Sequence, residues 1–171
     1  MEALGYTVDW DSATYTVSLT SPQQEVIAEN AEPEGMWNFN EDDNVQDWEA
    51  RSMSQFSAIG GTLRLTSLNT DPQMYMKNLS LDASKYKVLK LRIKNYTKSK
   101  LAELFFTTDT ETSLNAAKSF KITIEPNTDD FVEYEIDLDN ASWKGTVTQL
   151  RFDPMTAIGD MEIDYIMLCE E

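Results

Sequence analysis

Apolar and polar side chains alternate one for one through much of this chain. In Leu89-Lys-Leu-Arg-Ile-Lys94 the apolar residues project one way, and Lys90, Arg92 and Lys94 the other. Thr148-Gln-Leu-Arg-Phe-Asp153 repeats the pattern, with Leu150 and Phe152 on one face and Gln149, Arg151 and Asp153 on the other. Period-two runs predict strands at 37–40, 62–66, 74–79, 88–94, 101–107, 119–124, 131–138, 146–152 and 161–168. Turn chemistry separates them: Gly60-Gly61, Asn69-Thr-Asp-Pro72, Asp82-Ala-Ser84, Pro126-Asn-Thr-Asp-Asp130 and Asp139-Asn140. No stretch carries a helical period beyond one short turn. Short strands at regular intervals predict an all-β fold, a sandwich or barrel.

The first twenty residues form a separate pattern. Val8 and Trp10 alternate with polar residues, Asp11–Thr14 supplies a turn, and Tyr15, Val17 and Leu19 alternate on the return. This predicts a β-hairpin at 1–20, which needs a neighbour to dock on because an isolated two-stranded hairpin is marginal in water. Residues 21–35 hold two prolines and read as a linker; the main module is expected over 36–171.

The last predicted strand, Met161-Glu-Ile-Asp-Tyr-Ile-Met-Leu168, sets Asp164 in an otherwise apolar run. A buried carboxylate costs several kcal/mol unless a cation or hydrogen-bond donors compensate, so Asp164 calls for a partner. Composition narrows the chemistry. Thirty acidic against fourteen basic residues give a net charge of −16, which repels nucleic acid and anionic membranes. The 11% aromatic content argues for a folded chain rather than a disordered acidic one. There is no histidine, which excludes Ser-His and Cys-His nucleophile pairs and His-ligated metals. Cys169 is the only cysteine, so no intrachain disulfide forms, and it reads as a small apolar side chain. No segment approaches the roughly 20 apolar residues of a membrane-spanning helix. Met1-Glu-Ala-Leu-Gly5 has no leader pattern and reads as an internal cut, from which a signal could have been removed.

Two resemblances to known families follow from ordered motifs. Ala3-Leu-Gly-Tyr-Thr-Val-Asp-Trp-Asp-Ser-Ala-Thr-Tyr-Thr-Val-Ser-Leu19 resembles the closing hairpin of the copper-amine-oxidase N-terminal-like domain, a structural stalk that carries no copper site. It implies that this chain is part of a larger multimodular protein. The second resemblance covers 36–168. Trp37-Asn-Phe-Asn40, Gly60-Gly-Thr-Leu63, Leu81-Asp-Ala-Ser-Lys-Tyr86, Leu91-Arg-Ile-Lys-Asn95, Glu133-Tyr-Glu-Ile-Asp-Leu138, Leu150-Arg-Phe-Asp-Pro154 and Ile163-Asp-Tyr-Ile166 occur in the order seen in galactose-binding-like jelly-roll modules. Such modules are attached to secreted bacterial glycoside hydrolases and surface-layer proteins. The resemblance implies a β-sandwich jelly roll, a secreted or cell-surface location, and non-catalytic binding of a polysaccharide or oligosaccharide. The alternative is a structural spacer or protein-interaction module with no sugar ligand.

It also implies a structural calcium ion clasping the first and last strands. Calcium takes about six to eight hard oxygens; the expected ligands are Asn40, Glu41 and Asp164. The competing reading has the acidic loop solvating a turn and Asp164 pairing with an arginine. Sugar binding uses aromatic faces and planar donors, and the candidates are Tyr75, Arg92, Phe105 or Phe106, Trp143 and Arg151, with Tyr96 near a strand end. Arg92 and Arg151 would share one polar face if their strands share a sheet; the competing reading has them form structural ion pairs with Glu103, Asp153 or Asp71 across the sheet. Trp143 is either an exposed loop platform or a lid over one end of the core, and Trp37 and Trp48 are expected inside. Glu133, Glu135 and Asp137 alternate on one strand and read as its solvent face rather than as paired glycosidase carboxylates. The chain is therefore not expected to be an enzyme.

Overall fold

The computed structural model describes residues 7–11, 14, 16–20 and 34–170. The chain divides into two units, Met1–Ala31 and Glu32–Glu171. In the first, β1 (Thr7–Asp11) and β2 (Thr16–Thr20) pair antiparallel, with Val8 opposite Leu19 and Trp10 opposite Val17. The linker expected at 21–35 lies outside the described residues up to position 33. So do residues 3–6, 12, 13 and 15 of the stalk-like segment.

The second unit is an all-β sandwich, with no helix among the described residues. Its strands in chain order are β3 (Met36–Trp37), β4 (Glu49–Arg51), β5 (Met53–Ala58), β6 (Leu63–Ser67), β7 (Gln73–Met76) and β8 (Leu81–Asp82). There follow β9 (Val88–Asn95), β10 (Leu101–Thr108), β11 (Ser119–Thr123), β12 (Val132–Asp137), β13 (Thr146–Asp153) and β14 (Gly159–Cys169). One antiparallel sheet runs β11-β10-β13-β7-β4, with β8 also on β13. The other runs β12-β9-β14-β6-β5, with β3 also on β14.

Alternation dictates which side chains meet between the sheets. Leu89, Leu91 and Ile93 of β9, Leu63 and Leu65 of β6, and Ile163 and Ile166 of β14 point inward from one sheet. Leu104 and Phe106 of β10, Leu150 and Phe152 of β13, and Met74 and Met76 of β7 meet them from the other. Each such side chain contributes about 1.5–3 kcal/mol when fully buried, and a one-residue slip would reverse the whole strand. Trp37 and Trp48 lie in this core, edge to face with ring centres 5.3 Å apart, as expected. Cys169 is half-buried at the end of β14 and forms no disulfide.

The sequence pattern missed β4, β5 and β8 and overextended the first strand. β4 is exposed at all three positions, so no apolar residue marks it, and β8 has two residues. The first strand stops at Trp37 because Phe39 takes φ 52° to turn its ring fully into the core. β14 begins at Gly159, whose φ of 139° suits glycine; a Cβ there would stand 2.9 Å from Thr97 Cγ2.

Asn95, fully buried at the end of β9, ties two loops to the sandwich. Its Nδ2 donates to the carbonyls of Ser99 (2.9 Å) and Glu125 (2.8 Å). Its Oδ1 accepts from the Thr97 N–H (3.0 Å) and the Thr97 hydroxyl (2.7 Å). Asn95→Ala leaves two carbonyls, an N–H and a hydroxyl without this partner, so urea unfolding should show a loss of about 2–4 kcal/mol. A loss under about 1 kcal/mol would show the loops to be held by other contacts.

Candidate functional site

The outer face of the β11-β10-β13-β7-β4 sheet carries one continuous cross-strand row. Register places Ser119 beside Phe105, Phe105 beside Arg151, Arg151 beside Tyr75, and Tyr75 beside Glu49. Each points outward because its sequence neighbours point in: Leu104 and Phe106 flank Phe105, Leu150 and Phe152 flank Arg151, and Met74 and Met76 flank Tyr75. Three of the sequence-predicted site residues, Tyr75, Phe105 and Arg151, therefore meet on one surface.

Arg151 is the centre of the row. Its guanidinium carbon sits 4.0 Å from the centre of the Phe105 ring, which keeps only 8% of its surface exposed. Its Nε and Nη2 donate to the two carboxylate oxygens of Asp153, at 2.9 and 2.7 Å. Stacking and the bidentate pair hold the guanidinium in place. Phe105 is consequently a support beneath Arg151 rather than an open platform. Tyr75, half-buried, donates its hydroxyl to Gln73 Oε1, and Gln73 Nε2 donates to Asp71 at 2.9 Å. Beside Tyr75 lies a depression of ≈ 360 Å³ lined by Glu49, Ala50, Arg51, Tyr75, Lys77 and Gln149. Lys77 pairs with Glu49 and stands 6.0 Å from the Tyr75 ring centre. Arg51 has no ion-pair partner among the described residues.

The lining residues Glu49, Arg51 and Lys77 escape sequence reasoning. Glu49-Ala-Arg51 has no buried position to reveal a strand, and Lys77 follows the end of β7. Only the pairing of β4 with β7 brings Glu49 and Arg51 to this face.

Arg92 and Trp143 are placed elsewhere. β9 and β13 belong to different sheets, so Arg92 lies on the opposite outer face from Arg151, and no single polar face carries both. Arg92 stacks its guanidinium 4.9 Å from the Phe131 ring centre and pairs through Nη1 with Asp164 Oδ2. Trp143 is 8% exposed; its Nε1 donates to the Tyr86 carbonyl at 3.0 Å, and its ring meets Phe106 and Phe120 edge to face. It is a lid on the core and offers no ring face to a ligand.

Asp164 is also less buried than its apolar run suggests. Asp164 follows the inward-facing Ile163 and so points outward, with 25% of its side chain exposed; the register shift between Ile163 and Tyr165 then returns Ile166 to the core. Glu41 accepts from Asn44 Nδ2 at 2.9 Å, and the Asn40 N–H donates to Asn38 Oδ1 at 3.3 Å. No three His, Cys, Asp or Glu side chains among the described residues group at metal-binding range. Asp164 Oδ2 is engaged by Arg92, while Asn40 and Glu41 are engaged within their own loop.

Among the described residues, Asp153 carries the one carboxyl displaced far from its ordinary value. Burial, with the charges of Asp71 and Glu103 nearby, pushes it up from 3.8 to about 6 against the opposing pull of Arg151. A raised carboxyl binds its proton more tightly in the folded chain, so its contribution to stability is present below about pH 4 and declines as pH rises towards 6. Carbon-detected NMR should find the Asp153 carboxyl titrating near pH 6. Asp153→Asn should flatten the fall in stability between pH 4 and 6 relative to the parent. A carboxyl titrating at or below 4 would contradict this.

The architecture is an antiparallel β-sandwich of two sheets. No protein-family profile matches the sequence, and no curated protein matches it. Solved structures do share the fold. A point mutant of a carbohydrate-binding module of family 29 superposes with TM-score 0.51 at 16% identity, over 72% of this chain and 82% of that one. A CBM29-2 mutant complexed with cellulohexaose gives TM-score 0.51 at 18% identity over the same shares. The family 29 module itself gives 0.50 at 17%, over 72% and 80%. At these identities the likeness is one of fold.

Proposed function

We propose that the 36–171 unit is a non-catalytic carbohydrate-binding module that lays a polysaccharide chain across the β11-β10-β13-β7-β4 face. The observation that carries this is the row Phe105–Arg151–Tyr75, which opens into the depression beside Tyr75. The Tyr75 ring offers a surface to pyranose C–H groups. Around it, Arg51, Gln149 and Lys77 are donors and Glu49 an acceptor, the mixture that hydroxyl pairs require. The fold shared with carbohydrate-binding modules, one of them complexed with cellulohexaose, supports the reading. With its stalk-like hairpin, the module would tether a secreted enzyme or surface protein to glycan. Arg151 is committed to Asp153 and Phe105, so its role is to stiffen the face.

The second reading, a spacer without a sugar ligand, is favoured by that same internal pairing and by the charge ladder on the other sheet, where Glu133 opposes Arg92 and Glu135 opposes Lys90. Affinity electrophoresis separates the two. Gels containing hydroxyethylcellulose, glucomannan, xylan or polygalacturonate should retard the protein in at least one case. Tyr75→Ala should weaken that interaction about tenfold, the loss of one stacked contact, without changing the melting temperature. No retardation in any gel would favour the spacer.

The calcium expectation takes a separate test. An ion on Asp164 would compete with Arg92, so we expect the same melting temperature in calcium and in chelator. A Tm raised by calcium and lowered by chelation would restore the clasp.

A further inference from the structure

The outer face of the β12-β9-β14-β6-β5 sheet also holds an aromatic ring beside a depression. The large apolar side chains exposed among the described residues are Ile59, Leu68, Tyr96 and Ile158, and Tyr96 is the aromatic one, at 45% exposed. Its ring is held in place despite this. The Tyr96 hydroxyl donates to Glu162 Oε1 at 3.1 Å, its N–H donates to the Asp160 carbonyl at 3.2 Å, and Lys94 Nζ stands 5.2 Å from the ring centre. An exposed ring fixed at hydroxyl and backbone loses little freedom when a ligand stacks on it.

The adjoining depression, ≈ 320 Å³, is lined by Gln55, Arg64, Asp160 and Glu162 together with Tyr96. Register sets Arg64 opposite Glu162, yet Arg64 forms no ion pair among the described residues, so its donors are open. Thr66 donates to Asp160 Oδ1 at 2.7 Å, which orients that carboxylate and leaves its other oxygen to accept. Gln55 Oε1 lies 3.4 Å from the same hydroxyl, and its amide lines the depression. A ring, a guanidinium, an amide and two oriented carboxylates suit a polyol, whose hydroxyls both donate and accept. The two carboxylates disfavour an anionic sugar.

We propose that Tyr96, Arg64, Gln55, Asp160 and Glu162 form a second carbohydrate site, selective for neutral glycan. The proposal rests on the reading of the module as a carbohydrate binder and extends it. The sites lie on the outer faces of two sheets stacked about 10 Å apart, so a chain lying along one sheet cannot lie along the other. The module therefore holds two glycan chains at once, and Arg51 and Lys77 against Glu49 near Tyr75, compared with Asp160 and Glu162 against Arg64 near Tyr96, give the two sites different charge preferences.

The test is affinity electrophoresis of the full chain in hydroxyethylcellulose, glucomannan, xylan and polygalacturonate gels, comparing wild type with Tyr75→Ala, Tyr96→Ala and the double variant. Matched melting curves establish that each is folded. The expected result is residual retardation of Tyr75→Ala in a neutral gel, lost in the double variant, with Tyr96→Ala unaltered on polygalacturonate. If Tyr75→Ala abolishes all retardation and Tyr96→Ala behaves as wild type, the second site is overturned and the proposed function stands. If only Tyr96→Ala loses retardation, the Tyr96 site stands and the Tyr75 face is overturned. No retardation of wild type in any gel overturns both.

Discussion

Leu104 and Phe106 of β10 pack between the sheets with Leu150 and Phe152 of β13, and this burial decides where Phe105 and Arg151 go. Strand geometry permits no independent choice: a residue between two core residues is delivered to the outer face. The antiparallel register then sets Arg151 beside Phe105 on one side and Tyr75 on the other. A slip of one residue would expose Leu150 and Phe152 at a cost of several kcal/mol, so hydrophobic burial holds the polar row in register. The Arg151–Asp153 pair stiffens the centre of that row but does not position it.

The two outer faces put similar residue types to different use. Around Arg151 the charges are half-buried and committed: the side chains of Arg151 and Asp153 are 19% and 15% exposed. Around Arg92 they are more open, with Arg92 at 40% and Asp164 at 25%, and pairs of this exposure contribute about 1 kcal/mol or less. Burial also explains why Asp153 has its carboxyl pushed well above its ordinary value. Asp164 keeps enough water and a well-placed guanidinium, so the anomaly in the apolar run resolves into an ion pair at a bulge.

Alternation made much of this legible from residues alone. In β9, β13 and β7 it identifies both the strand and the side chains that face outward, so Tyr75, Arg92 and Arg151 could be named as surface groups in advance. Alternation does not say which strands share a sheet, and this is why Arg92 and Arg151 came apart. Edge strands carry little pattern: Glu49-Ala-Arg51 buries nothing, and half the lining of the Tyr75 depression went unseen with it. Trp143 shows a third limit. Whether an indole in a turn is platform or lid depends on the Tyr86 carbonyl and the Phe106 and Phe120 rings, all distant in sequence.

The central claim is that register in the β11-β10-β13-β7-β4 sheet builds a glycan-binding face around Tyr75. The most direct measurement is a two-dimensional NMR titration of the isotope-labelled chain with cellohexaose and with oligogalacturonate. The account predicts amide shifts concentrated in β4, β7 and β13, with Tyr75, Arg51 and Gln149 among the largest. Shifts confined to loops away from this sheet, or no shifts with either sugar, would contradict it.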